Sequence, residues 1–328
     1  MELRELGTTG LRVTPIGLGL AALGRPAYIT TGRDEDLGEA GDRSIEAMEA
    51  RSHEVLDAAW DAGIRYLDAA RSYGYAERFL ASWLRARAIG PPEVTVGSKW
   101  GYRYVGEWRM DAPVHEVKDH SLAMLRAQLR ESRDLVGRWL RLYQVHSATL
   151  ESGILADRAV LAELARLRAE ERLVIGLSVS GPRQGDVVRA ALEVRVDGLN
   201  PFGCVQATWN VLEPSASPAL AEAHAAGWGV IVKEALANGR ALEDDASLAP
   251  IAAAANRHGT TRDAIALAAV LAQPWAGVVL SGAATPAQLR SNASAVDVAL
   301  AADEVAALLA AAEPADAYWE ARAARAWA

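Results

Sequence analysis

Four residue types that together can move a proton stand at the ends of short apolar runs in this chain. Asp68 and Tyr73 lie five residues apart in RYLDAARSYG, Lys99 closes VTVGSKW, and His146 closes RLYQVHS. A phenol ordinarily keeps its proton up to a pKa of about 10, but a neighbouring ammonium favours the phenolate and lowers that value. Lys99 is therefore expected to pull Tyr73 down. Burial would strip Lys99 of its own charge unless a carboxylate paired with it, and Asp68 supplies one. His146 adds a donor beside a substrate oxygen. The lysine is itself informative, because the chain uses arginine almost everywhere and has only Lys99, Lys118 and Lys233. An ammonium is a compact charge that can exchange protons with a phenol, whereas a guanidinium stays protonated. Taken singly, Asp68 reads as a helix cap, Lys99 as a side chain reaching solvent and His146 as a packed core histidine. Three successive strand ends carrying all four favour the chemical reading.

The elements that must position these groups alternate along the chain. Eight short apolar runs read as strands: IGLGL, IRYLDAA, VTVGSKW, LRLYQVHS, LVIGLSVS, GCVQATW, GVIVKEA and AGVVLSG. Between them, Phe79, Leu80, Trp83 and Leu84, or Val160, Leu161, Leu164 and Leu167, recur at one-turn spacing and mark helices with one apolar face. Strands apolar on both sides and separated by helices are parallel. Eight such units predict a closed (β/α)8 barrel over residues 1–328 as one domain, with the strand ends sharing one mouth. An open doubly wound sheet is the alternative, but IGLGLAALG lacks the GxGxxG spacing of a dinucleotide turn. ELRELGTTGLRVTP reads as a β-hairpin, expected to plug the barrel bottom. Residues 24–43 form a long polar loop after the first strand, expected as a lid, and Tyr318, Trp319 and Trp327 are expected to pack on the rim, with a reach over the mouth as the alternative.

Composition excludes several classes of function. A formal charge of −8 with acidic and basic residues mixed throughout gives no stripe for phosphate backbones, so no nucleic-acid partner is expected. No run of about 20 apolar residues and no signal peptide appear, so neither a membrane span nor secretion is expected, and the protein reads as cytoplasmic. The single Cys204, in FGCVQ, reads as core packing. Of six histidines only His146 ends a strand, too few ligands for a metal-dependent barrel hydrolase, so no metal is expected.

These motifs give the chain a family likeness. LDAARSYGYAE resembles the Asp-Thr-Ala...Tyr-Gly...Glu signature of the aldo-keto reductases, with Ala69 in place of the threonine; GSKW and QVHS match the lysine and histidine strands of that family. The resemblance runs along essentially the whole chain and implies an NAD(P)H-dependent barrel that reduces a small-molecule carbonyl, an aldehyde, ketone or sugar. It implies a tetrad of Asp68, Tyr73, Lys99 and His146, with Tyr73 as general acid. Ser178 and Gln206 fall where the family holds the nicotinamide carboxamide, although Val179 and Ser180 follow the serine instead of an asparagine. Lys233 and Glu234 occupy the position of the aromatic residue that stacks on the nicotinamide, leaving Trp209 to supply that ring. Gly282, Gln288 and Asn292, in SGAATPAQLRSN, match the segment that grips the adenosine end. The family points to NADPH, with NADH possible. Tyr28, Trp100 and Trp108, with Tyr102 and Tyr104, are expected to wall the substrate pocket, with packing of the long third loop as the equal alternative. The alternative reading is a cofactor-binding regulatory barrel of the same family without efficient turnover. The sequence leaves oligomeric state open.

Overall fold

The computed structural model describes residues 1–30, 32–37 and 42–327. Eight parallel strands, Ile16–Gly19, Tyr66–Asp68, Thr95–Trp100, Leu140–Ala148, Val174–Val179, Cys204–Thr208, Gly229–Lys233 and Val278–Ser281, pair in chain order. The eighth pairs with the first, Val279 opposite Ile16, and closes the barrel. Each strand coincides with one of the eight apolar runs. The architecture is a (β/α)8 barrel. Closure satisfies every strand edge, which an open sheet of these buried strands would leave exposed.

The helices Ile45–Asp61, Ala76–Ala86, Leu122–Val136, Arg158–Glu171, Gln184–Leu192, Ser217–Ala225, Arg262–Leu271 and Pro286–Ala293 form the outer ring. Their apolar stripes face inward: Phe79, Leu80, Trp83 and Leu84 are buried, as are Val160, Leu161, Leu164 and Leu167. Several start where a short polar side chain takes up an otherwise orphaned amide. Ser121 accepts from Met124 N–H, and Asp157 from Ala159 and Val160 N–H.

At the strands' N-terminal end, the hairpin of Arg4–Glu5 and Arg12–Val13 seals the barrel. Leu6, Leu11 and Val13 pack on the inward residues Tyr66, Leu142, Cys204, Ile231 and Val278. Leu6 reaches that depth because Gly229 has no side chain; a Cβ there would lie 2.5 Å from Leu6 Cγ. Cys204 is wholly buried in this plug, and burial pushes its thiol above the ordinary range.

At the opposite end lie the loops. Part of the long first loop folds into the short helix Arg33–Leu37; positions 31 and 38–41, also within the expected lid, fall outside the described residues. After the barrel, the helix Ala315–Ala323 sets Tyr318 and Trp319 into a small cluster with Val211, Leu212 and Ile265. Trp327 goes further than the rim and stands over the mouth. Among the described residues no helix is long and apolar enough to cross a membrane.

Candidate active site

Asp68 ends the second barrel strand and Lys99 sits one residue before the end of the third, so both side chains enter the same mouth. Lys99 Nζ donates to Asp68 Oδ1 and, at 3.2 Å, to the Ala69 carbonyl; neither residue is more than 1% exposed. The other carboxylate oxygen of Asp68 accepts from Gln206 Nε2 at 2.9 Å, Tyr66 Oη at 3.1 Å and Gln144 Nε2 at 3.4 Å. A buried carboxylate with this many donors is held in one orientation.

Tyr73 lies on the turn beyond Asp68, and two glycines fix that turn. Tyr75 N–H donates to Gly24 O at 2.7 Å, a Cβ on Gly24 would sit 2.2 Å from Tyr73 O, and Gly74 adopts φ 57°. Only residues without side chains allow the first and second loops this close. Lys99 Nζ then lies 5.0 Å from the centre of the Tyr73 ring.

His146 is placed by a bulge. Val145 pairs with Leu177 but Ala148 with Val179, so one extra residue is accommodated at His146–Ser147, and Ser147 turns to φ 49°. Such bulges re-aim a side chain. The His146 ring meets Tyr73 edge-on, centroids 5.4 Å apart, and Ser72 Oγ is 3.3 Å from Nδ1. Nε2 is thereby left for a substrate oxygen. Asp68, Tyr73, Lys99 and His146 are thus brought to one place.

The electrostatics differ from the expectation that Lys99 depresses Tyr73. The phenol is held well above its ordinary value, first by burial and then by the Asp68 carboxylate. Asp68 neutralises the lysine that was to favour phenolate. The cation that does pull Tyr73 downward is Arg25, whose guanidinium lies 5.1 Å from the ring and is itself bonded to Glu116 at 2.5 Å. His146 is driven well below the ordinary imidazole value by burial, Lys99, Lys233 and Arg25. A protonated phenol and a neutral imidazole are both donors at neutral pH.

A cavity of about 850 Å³ extends from these groups. Tyr73, His146, Gln206, Lys233, Gly282, Gln288, Asn292 and Tyr28 line it. Ser178 lies behind the wall, its Oγ accepting from Ser147 N–H at 2.8 Å and so bracing the bulge. Lys233 donates to Thr208 Oγ1 at 2.7 Å and Ser180 Oγ at 3.2 Å; burial lowers it to about 8. Glu234, bonded by Arg322 Nε at 2.8 Å, is pushed up by burial but held to about 2 by Lys233 and Arg322. Trp209 is core: it is fully buried, donates to Ser217 Oγ and packs edge-on against Trp275. The ring that stands over Lys233 on the cavity wall is Trp319, 5.9 Å from Nζ.

Three expected pocket residues, Trp100, Tyr104 and Trp108, lie outside the cavity lining. Trp100 is fully buried against His120, and Trp108 packs on Tyr75 and Phe79 with its indole N–H on Arg43 O. The third loop carries its tryptophans into packing instead of the cavity. The aromatic wall is Tyr28, Tyr102 and Trp327, with Trp327 stacked on His115 at 4.2 Å and Arg25 seated over Tyr28 and Trp327.

A profile of the Aldo/keto reductase family matches residues 15–313, a span containing all eight strands and the four converging groups. The chain belongs to the aldo/keto reductase family. It is 37% identical over 102 residues to the pyridoxal 4-dehydrogenase of Microbacterium luteolum, a match spanning 30% of this chain and 24% of that relative. A Pseudomonas aeruginosa structure assigned to the aldo-keto reductases shares 25% identity over 90% of this chain and 95% of its own, with a TM-score of 0.64. An aldo-keto reductase of Bacillus halodurans, solved in its holo form, superposes at 0.68 over 96% of this chain and 97% of its own, at 21% identity. Membership makes this protein an oxidoreductase-family barrel. Within that frame, Arg25, Glu116 and Arg322 are wall residues that sequence reasoning missed. Arg25 lies in the loop six residues after the first strand, in GRPAY, a hint that position alone offered; Arg322 comes from a tail whose path no periodicity records.

Proposed function

We propose that this aldo/keto reductase interconverts a small carbonyl compound and its alcohol with a nicotinamide nucleotide, Tyr73 serving as the proton donor. The observation that carries the proposal is a protonated phenol and a neutral imidazole facing one cavity beside Asp68, which is paired to the buried Lys99 behind it. The cavity fits the nucleotide at both ends. Near the tetrad, Gln206 and Lys233 present amide and ammonium groups; at the other end Gly282 has open space about it and the buried Asn292 Oδ1 lacks a hydrogen-bond partner. When bound, the nucleotide supplies the hydride that reduces the substrate carbon.

The protein's own residues do the rest. Tyr73 Oη donates its proton to the carbonyl oxygen, which becomes the alcohol hydroxyl. Loss of that proton leaves a phenolate that the Arg25 guanidinium stabilises, while Asp68 holds Lys99 in place beside the ring. His146 Nε2 orients the carbonyl oxygen, its ring fixed by Ser72 and the bulge. Tyr28, Tyr102 and Trp327 supply a wall suited to a ring-bearing carbonyl compound, consistent with the partial likeness to a pyridoxal 4-dehydrogenase.

Titration with NADH and NADPH, followed by steady-state reduction of a carbonyl panel, tests this in wild type and Tyr73→Phe. Nucleotide binding is expected to persist in the variant while kcat falls by a factor of roughly 100 to 10,000. Wild-type turnover by Tyr73→Phe would overturn the assignment. Tight nucleotide binding without turnover of any compound by wild type would instead support a regulatory barrel.

A further inference from the structure

The end of the cavity beside the helix Pro286–Ala293 holds a carboxylate that the catalytic groups leave unexplained. Asp36, from the short helix Arg33–Leu37, accepts from Gln288 Nε2 at 2.7 Å. Gln288 Oε1 accepts in turn from Ala284 N–H at 2.9 Å, so the amide is held at both ends and fixes Asp36 beside the helix start. Thr285 caps that helix through Gln288 N–H. Asp263, accepting from Ser291 Oγ at 2.9 Å, lines the same cavity. Asn292, 2% exposed, gives its amide to Ser281 Oγ at 2.8 Å and leaves Oδ1 on the cavity wall without a partner.

Among the described residues no basic side chain is hydrogen-bonded to Asp36 or Asp263, which bond Gln288 and Ser291. Arg33 lines the cavity and its charge is felt at Asp36, but its guanidinium is tied to the backbone carbonyls of Ala22, Arg25 and Pro26. Arg290 is exposed and outside the lining.

We infer that Asp36 makes this oxidoreductase select NADH, whose adenosine ribose carries a free diol, over its 2′-phosphorylated counterpart; the inference rests on the function proposed above. A ribose hydroxyl donates to a carboxylate, whereas a phosphate at the same carbon brings close to two negative charges against it. The unpartnered Asn292 Oδ1 is an acceptor suited to an exocyclic amine such as that of adenine. This choice departs from the NADPH that family likeness implies. Asp36 and Gln288 are 252 positions apart, and only the fold joins them.

Equilibrium titration monitored by tryptophan quenching, with NADH and NADPH separately, tests the inference in wild type, Asp36→Asn and Asp36→Ser. Wild type is expected to bind NADH about tenfold or more tighter than NADPH, and each substitution to shrink that ratio by about tenfold, mainly by tightening NADPH. Two variants of different size separate the charge from local packing. If wild type binds both nucleotides but favours NADPH, or if neither substitution moves the ratio, the inference fails and the proposed function stands. If neither nucleotide binds, both fail.

Discussion

Glu234 and Lys233 illustrate how a single position resets the local chemistry. Where relatives are expected to place an aromatic ring, this chain buries a carboxylate between Lys233 and Arg322, with Thr208 Oγ1 3.4 Å away. Burial alone would raise its pKa; the two cations overcome that and hold it to about 2, below its ordinary 4.5. A group depressed on folding stabilises the fold above its unfolded pKa and loses that contribution as pH falls through the folded one. Stability should therefore decline between pH of about 4.5 and 2, by on the order of 3 kcal/mol for a shift of this size. Denaturant titrations at several pH values should show that decline in wild type and a flatter profile in Glu234→Gln. An equal slope in both would remove Glu234 as the source. The substitution also leaves Arg322 without its carboxylate, so the variant should be less stable at pH 7.

Among the elements, the ones that aim the site are irregularities in otherwise regular strands and turns. The bulge at His146–Ser147 turns an inward residue toward Tyr73, and Ser178 braces it from the next strand. Gly24 and Gly74 let the first and second loops touch, which sets Tyr73 at its distance from Lys99. The N-terminal hairpin has the opposite character, lying at the far end of the barrel and contributing packing alone. Leu6 is fully buried in the plug between Gly229 and Gly277. Leu6→Ala is expected to cost about 2–5 kcal/mol through lost contacts and a residual cavity. Because the plug reaches the tetrad only at second hand, through the Tyr66 hydroxyl on Asp68, kcat at 25 °C should change little. Urea unfolding together with steady-state rates checks both halves; a large drop in kcat for a folded variant would show that the plug is coupled to the mouth.

At the scale of the molecule, one cluster of buried side chains runs from Ile16 in the first strand to Ala295 after the eighth helix. Removing any strand would open two edges of a sheet buried on both sides, so we propose that the chain behaves as one domain and unfolds as one unit. Calorimetry should give a single transition whose calorimetric and van't Hoff enthalpies agree; two resolved transitions would contradict it. Much of this architecture is written locally. Eight apolar runs separated by helix-period segments dictate parallel strands, and parallel strands with short crossovers close at eight, so the barrel and the ends bearing Asp68, Lys99 and His146 follow from period and burial alone. What only the tertiary structure decided are contacts between residues far apart in the chain: Asp36 with Gln288, Arg322 with Glu234, and Trp327 over Arg25 and Tyr28. It also decided that Trp100 and Trp108 pack inward. Loops and tail carry no periodic signal, and an aromatic ring is as well served by packing as by a pocket, so their destinations depend on the surfaces the closed barrel presents.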